Sequence, residues 1–453
     1  MENQFKKIGY MGYSIELSTA SSELLKQIKE ELTVKPLENP NFETFKNTSF
    51  AVFRTSKTKI YIPRYYGTSL LGPPTTNIFN WNLPLVPEKV PVQEDRFRFE
   101  GSMRPIQEET VKATLDNYSS HGGGLISLDT GLGKTVVALK LVSVISTRTL
   151  VLVHADFLLE QWVSRISTFL PNARIGVIKQ ERCEYHNCDI IVGMIQSIIR
   201  RDYPKECFRS IEHLIIDECH HISSKTFSSI FYKVQTKYMV GLSATPDRKD
   251  GLSKVIYWFL GPQIVHIKRE TNKPSITFIF NDPEGYIEKL NRNGKINGAS
   301  MITDLATKTD RNKLIIELVN GLGLPISGRK VLILSERREH CKELLFLLTE
   351  LKFNAGLYLG GMKSTDRNET VGKDIIIGTY QASGEGFDVP ELDTLILATP
   401  KSDIEQAVGR ILRQKNKNEP LVIDIVDSFS IFRGQYYKRK KFYNSNSFLI
   451  NQN

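Results

Sequence analysis

Asp217 and Glu218 stand side by side after the apolar run His213-Leu214-Ile215-Ile216. Two carboxylates at a strand end suit metal-assisted phosphoryl transfer. One holds a divalent cation, usually through water, and the other orients and deprotonates the attacking water. Upstream, Ser127 to Thr135 reads SLDTGLGKT, between the apolar run Leu125–Leu128 and the helix-like Val136-Val137-Ala138-Leu139-Lys140-Leu141. Strand, Gly-containing loop and helix in that order aim free backbone N–H groups and a positive helix end at one small anion. Asp129, Thr130, Gly131, Leu132 and Gly133 form the cradle. Lys134 adds a point charge for a β- or γ-phosphate, and the Thr135 hydroxyl can join Asp217 on Mg²⁺. Leu128 occupies the place where the usual phosphate-loop pattern has its first glycine.

Three further groups extend this chemistry. His220, in Asp217-Glu218-Cys219-His220, is placed to sense the γ-phosphate and pass that state on. Ser243 and Thr245, in Gly241-Leu242-Ser243-Ala244-Thr245, can link a nucleotide site to a neighbouring surface by short hydrogen bonds. In QAVGRILR, Gln406, Arg410 and Arg413 fall at i, i+4 and i+7, which predicts one shared helix face. Two guanidinium groups there could reach a phosphate presented by another domain. Standing alone, the same residues would read as a basic surface helix.

The elements that must position these residues are strands and helices in alternation. The chain has 453 residues, room for two or three domains. Apolar runs at Leu125–Leu128, Thr149–Val153, Arg174–Ile178, Asp189–Met194, His213–Ile216 and Met239–Leu242 predict one parallel sheet. A second set predicts another: Ile264–Ile267, Ser275–Phe280, Lys330–Leu334, Ala355–Leu359, Asp374–Ile377, Thr394–Ala398 and Leu421–Ile425. Asn281 to Asn297 reads as a loop or small insertion between the domains.

Residues 1–95 read as a small α+β domain, with a helix over Glu23–Leu32 and a hairpin of Phe50–Arg54 with Lys59–Ile62. Lys57, Lys59, Tyr61, Arg64, Tyr65 and Tyr66 fit a nucleic-acid surface or simple cross-strand packing equally well. Pro73, Pro74, Pro84, Pro87 and Pro91 mark an extended linker. The far segment RGQYYKRKKFY, Arg433 to Tyr443, suits a phosphate backbone with base stacking, or a solvated terminal helix.

A formal net charge of +10 favours polyanionic partners. No apolar run reaches the ~18 residues of a membrane span, and the N-terminus lacks the hydrophobic core of a signal peptide. Five scattered cysteines argue against a disulfide framework and for a reducing compartment. The loop CEYHNC, Cys183 to Cys188, lacks the second cluster a zinc site needs.

Taken in order, these motifs resemble the superfamily 2 helicases of the DExH type, from about residue 97 to 428. DTGLGKT is similar to motif I, DECH to motif II, SAT to motif III and QAVGRILR to motif VI. Gln107 resembles the upstream glutamine that reads adenine. Gln161-Trp162 resembles the end of motif Ia, Gln196-Ser197 motif Ic, Leu332 to His340 motif IV, and Gly378-Thr379 through Val389-Pro390 motif V.

The resemblance implies two tandem RecA-like α/β domains with parallel sheets, 96–262 and 263–430. An accessory domain, 1–95, precedes them and a basic aromatic tail, 431–453, follows. ATP and Mg²⁺ would lie between the two domains, with Lys134, Asp217, Glu218, Gln406, Arg410 and Arg413 acting on them. Gln107, the loop 128–135 and Asp388 would hold the nucleotide. Gln196, Ser197, Arg248, Gly360, Gly361 and Thr379 would face nucleic acid.

Arg248-Lys249-Asp250 is similar to the Arg-Glu-Asp signature of the XPB/UvsW branch, with Lys where Glu is usual. YIPRYYG and Ile423 to Ser430 resemble helicases of large cytoplasmic DNA viruses, including the poxvirus transcript-release helicase. What this implies is a monomeric 3′–5′ motor on DNA rather than RNA, in viral transcription or DNA replication and repair. Transcription machinery would be a partner, and host cytoplasm or virion the location. A double-strand translocase, a transcript-release factor without strand separation, an RNA helicase and a non-hydrolysing ATP-gated clamp stay open.

Overall fold

The computed structural model describes residues 6–9, 11–36, 49–77, 97–129, 131–246, 250–268, 273–282, 286–384, 387, 389–413 and 416–451. The predicted linker residues 78–96 lie outside them. The chain divides into two compact units, Met1–Arg269 and Glu270–Asn453. No helix among the described residues is long and apolar enough to cross a membrane.

The first unit holds an eight-stranded sheet of β1 (Gly123–Leu128), β2 (Thr149–Val153), β3 (Ile175–Lys179), β4 (Arg182–Cys183), β5 (Ile190–Met194), β6 (His213–Ile216), β7 (Tyr238–Ser243) and β8 (Gln263–Ile267). Their order across the sheet is β4-β3-β5-β2-β6-β7-β1-β8, and every pair is parallel except β3 with β4. β2, β5 and β6 are buried at every position, so both faces need apolar side chains and the sequence runs apolar without alternation. The carboxyl ends of β1, β5, β6 and β7 lead into Asp129, Gln196, Asp217 and Thr245 respectively, the end where open parallel sheets bind ligands.

β8 departs from expectation. Hydropathy places Ile264–Ile267 with the second set, yet β8 pairs with β1 and closes the first sheet. An apolar run of this length states that a strand is buried, not which strand it pairs with.

The N-terminal segment forms a second, five-stranded sheet ordered Arg54–Thr55, Lys59–Ile62, Gly12–Glu16, Lys6–Gly9, Thr76–Asn77, antiparallel except for the last pair. A helix does span Ser22–Glu31, capped by the Ser21 hydroxyl. The hairpin partner of Lys59–Ile62 is Arg54–Thr55, turned by Ser56, whereas Phe50–Ala51 pairs with Thr33–Val34. This segment does not stand apart. Ile8, Tyr13, Ile60, Ile62 and Tyr66 share one apolar cluster with Leu125, Leu150, Leu214 and Phe259.

Arg64 is buried and donates to the carbonyls of His121, Thr236 and Lys237. The Tyr65 hydroxyl donates to the same His121 carbonyl at 3.1 Å, and Tyr66 meets Trp258 edge-on at 5.5 Å. For Arg64, Tyr65 and Tyr66 the basic-aromatic signal is packing between two sheets.

The second unit holds a seven-stranded, all-parallel sheet of β9 (Ser275–Phe280), β10 (Val331–Ser335), β11 (Ala355–Tyr358), β12 (Ile375–Thr379), β13 (Thr394–Leu397), β14 (Leu421–Val426) and β15 (Leu449–Asn451). Their order is β11-β12-β10-β13-β14-β9-β15. The segment read as a tail is part of this fold. Residues Ser430–Ser445 form a helix whose Phe432, Arg439 and Tyr443, at i, i+7 and i+11, are buried. The chain then adds β15 to the sheet edge. Arg439 grips Asp424 through two nitrogens, with Nη2 to Oδ1 at 2.8 Å, and the Tyr443 hydroxyl donates to the same carboxylate at 3.0 Å. A second buried pair joins Arg311 to Asp427 at 2.6 and 3.1 Å.

Removing one member of such a pair strands a buried charge. Arg439→Ala should therefore destabilise the second unit by about 3–5 kcal/mol, read from the denaturant midpoint. A midpoint within error of wild type would show that the pair contributes no net stability.

Candidate functional site

The phosphate-loop candidate is built by two left-handed glycines, Gly131 at φ +83° and Gly133 at φ +88°. Gly133 caps the helix Lys134–Ile145. A Cβ there would come within 2.2 Å of Gln107 Nε2 and displace that side chain, and the left-handed φ itself favours glycine. The loop is braced from outside. Gln107 Nε2 donates to the Leu132 carbonyl at 2.9 Å, Arg104 Nη2 to the Gly131 carbonyl at 3.1 Å, and Asp129 N–H to the Ile267 carbonyl at 3.1 Å. Leu128 is buried in the core and offers the loop only its carbonyl, which accepts from Lys134 Nζ at 3.1 Å. Thr135 follows Lys134 in the first helical turn.

Asp217 and Glu218 follow β6, separated from β1 in the sheet by β7. Asp217 is buried. Its Oδ2 accepts from Trp162 Nε1 at 2.8 Å and its Oδ1 from the Glu218 N–H at 3.0 Å. Burial, then the charge of Glu218, pushes the Asp217 carboxyl up to about 6, while Lys134 pulls the other way. A divalent cation relieves both causes, so the residues present fit Mg²⁺ at this pair.

Glu218 sits at φ +46°, ψ +51°, a conformation that costs a non-glycine residue about 1–2 kcal/mol. His220 Nδ1 lies 3.4 Å from Glu218 Oε2 and 3.2 Å from Ser243 Oγ, and Ser243 Oγ accepts from the Thr245 N–H at 3.2 Å. A continuous polar chain therefore runs from the candidate base, through His220, to the end of β7.

The remaining site residues are placed as follows. Gln196 Nε2 donates to the His154 carbonyl at 2.7 Å, and Ser197 Oγ accepts from the Gln180 N–H at 3.0 Å. In the second unit, Gly360 accepts from Arg338 at 2.8 Å, Gly361 is left-handed at φ +80°, and Thr379 Oγ1 accepts from the Ala382 N–H at 3.2 Å. Thr130, Arg248 and Asp388 lie outside the described residues.

QAVGRILR differs from its expected form. The helix covers only Glu405–Arg410 and ends at Ile411, so Arg413 lies beyond it. Gln406 is exposed while Arg410 and Arg413 are buried. The three therefore do not share one face. Spacing alone presumes a helix that continues. Arg410 Nη1 donates to the Phe387 carbonyl at 2.6 Å, tying this segment to the loop after β12.

Residue types did not assign the bond that Trp162 makes to Asp217. The available signal was general: a buried indole N–H must find an acceptor. Trp162→Phe removes that donor and keeps an aromatic ring at the position. Outer partners of metal ligands typically matter by about 10–100-fold, and the Mg²⁺ concentration for half-maximal ATP turnover should rise by that factor. An unchanged Mg²⁺ titration would remove Trp162 from the site.

Two family descriptions match the chain. Residues 100–248 match "Type III restriction enzyme, res subunit", and residues 310–415 match "Helicase conserved C-terminal domain". Among relatives, "Putative ATP-dependent RNA helicase L396" of Acanthamoeba polyphaga mimivirus is 34% identical over 478 residues, covering 100% of this chain and 89% of that protein. The chain belongs to the superfamily 2 helicases. This helicase is also similar to "Putative ATP-dependent RNA helicase QP509L" of African swine fever virus, at 26% identity over 81% of the chain and 76% of that protein. "Putative helicase 161L" of Invertebrate iridescent virus 6 is 28% identical over 82% of the chain and 87% of its own length. The helicase is thus an ATP-dependent enzyme that binds nucleic acid, related to helicases of large DNA viruses.

Proposed function

We propose that the helicase is a 3′–5′ motor on DNA, of the XPB/UvsW branch, that hydrolyses ATP at the loop 129–135 and the Asp217–Glu218 pair. The observation that carries the hydrolysis is the polar chain Glu218–His220–Ser243–Thr245, which joins the candidate base to a strand end. Lys134 and the loop N–H groups hold the β- and γ-phosphates, and Gln107 positions the loop. When bound, Mg²⁺ would be held by Thr135 and Asp217 and would neutralise charge on the phosphates. Glu218 accepts a proton from the attacking water. Arg413 acts on the transferring phosphate, and the buried Arg410 holds its segment in place through the Phe387 carbonyl.

Support for DNA comes from Arg248-Lys249-Asp250 and the branch it resembles. The names of the mimivirus and African swine fever virus relatives favour RNA instead, and this is the second reading. The role we assign is transcript release or DNA processing, as a monomer alongside transcription machinery.

ATP turnover at fixed Mg²⁺, alone and with single-stranded DNA, duplex DNA or RNA, tests the choice. Stimulation by DNA supports the proposal, with strand displacement from a 3′ overhang to follow. Stimulation by RNA alone would replace DNA with RNA. Polymer binding with no turnover would replace the motor with an ATP-gated clamp.

A further inference from the structure

The helix Ser430–Ser445 buries Phe432, Arg439 and Tyr443, and its opposite side is basic and aromatic. Arg433, Tyr437, Lys440 and Lys441 fall at i, i+4, i+7 and i+8, with Lys438 beside them, and all five are exposed. The helix contains no Asp or Glu, and among the described residues none of these four cations pairs with a carboxylate. Next to them the rings form a continuous row. Tyr436 lies 5.3 Å from Tyr437 and 5.8 Å from Phe280, the last residue of β9. Lys440 Nζ sits 5.9 Å from the Tyr436 ring centre. Phe280 and Tyr437 are 62% and 56% exposed.

A solvated helix accounts for the lysines but not for two large exposed rings in line with them. Cations that follow a phosphate backbone, interleaved with rings that take a base face, fit single-stranded nucleic acid. An acidic protein surface would satisfy the lysines and leave Phe280 and Tyr437 in water.

The position sets this surface apart from the motif residues. Gly360 and Gly361 follow β11 and Thr379 ends β12 at one side of the sheet, whereas the helix lies by β14 and β9 near the other. Four strand steps separate β12 from β9, about 19 Å at ~4.8 Å per step. We infer that Phe280, Tyr436, Tyr437 and the lysines around them form a second binding surface for single-stranded nucleic acid, outside the helicase motifs.

The test uses the full chain without nucleotide and measures oligo-dT and oligo-rU binding by fluorescence anisotropy across a salt series. This readout is independent of motor activity. Phe280→Ser with Tyr437→Ser should weaken both oligonucleotides at least about 30-fold, the low end for losing two stacked bases. Replacing Arg433, Lys438, Lys440 and Lys441 together by Ala should lower the slope of log affinity against log salt by about 3, from ~0.7 per phosphate contact on a single strand. ATP turnover without polymer should match wild type in both variants and serves as the check on folding. Wild-type affinity and slope in both would overturn the inference. So would a reduced slope with no effect of the aromatic pair, since that pattern describes a charge patch without base contacts.

Discussion

Glu218→Gln should bind ATP with near wild-type affinity and hydrolyse it about 10²–10⁴-fold more slowly, the usual worth of a general base. The amide keeps the size of the side chain and puts no new demand on the left-handed backbone at φ +46°. It still offers an oxygen toward His220, 3.4 Å away in the native carboxylate. What it loses is the ability to take a proton from water. Binding followed with a fluorescent ATP analogue, beside single-turnover hydrolysis, separates the two effects. Turnover at the wild-type rate would exclude Glu218 as the base. A parallel loss of affinity would point to a binding role.

Arg413→Ala carries the other large expectation, a fall in turnover of about 10³–10⁵ with ATP affinity little changed, as for an arginine that meets charge only in the transition state. Arg413 is 8% exposed, so a thermal melt must accompany the kinetics. Arg410 supplies the contrast. Its Nη1 bond to the Phe387 carbonyl ties it into the second unit, so Arg410→Ala should lower stability as well as turnover. Equal losses of affinity and turnover in Arg413→Ala, with an unchanged melt, would sink the transition-state role.

Much of the architecture was legible because a strand in a two-sided parallel sheet must be apolar throughout. Thr149–Val153 and Ile190–Met194 could hardly be read otherwise. Pairing was less legible, since hydropathy carries no partner. Hydropathy therefore puts Ile264–Ile267 in the second sheet and Phe50–Ala51 in the hairpin with Lys59–Ile62, where neither pairs. Arg64, Tyr65 and Tyr66 show a different limit. A guanidinium beside phenol rings looks the same in sequence whether it meets phosphate or a row of backbone carbonyls. At the candidate site the left-handed turn at Gly131 and Gly133 and the strand-end places of Asp217 and Glu218 were legible, because a tight turn demands glycine and a buried strand gives way to polar residues only at its end. Trp162 and Arg104 act by bracing, which many residue types can do.

The shared core beneath the N-terminal sheet has a practical consequence. The family match begins at residue 100, yet the apolar cluster under β1 and β2 includes Ile8, Ile60 and Tyr66. Homology and folding therefore place the start of this unit in different positions. A fragment trimmed to the matched region would expose the side of that cluster and tend to aggregate. A chain cut once between residues 77 and 97 should instead migrate as a single particle in size-exclusion chromatography. Its two pieces would be held by the Arg64 carbonyl contacts and the ring of Tyr66 against Trp258. Separation of the pieces under native conditions would show that the two sheets are merely adjacent. Co-migration would show that the shared core, and not the chain connection, holds the two sheets together.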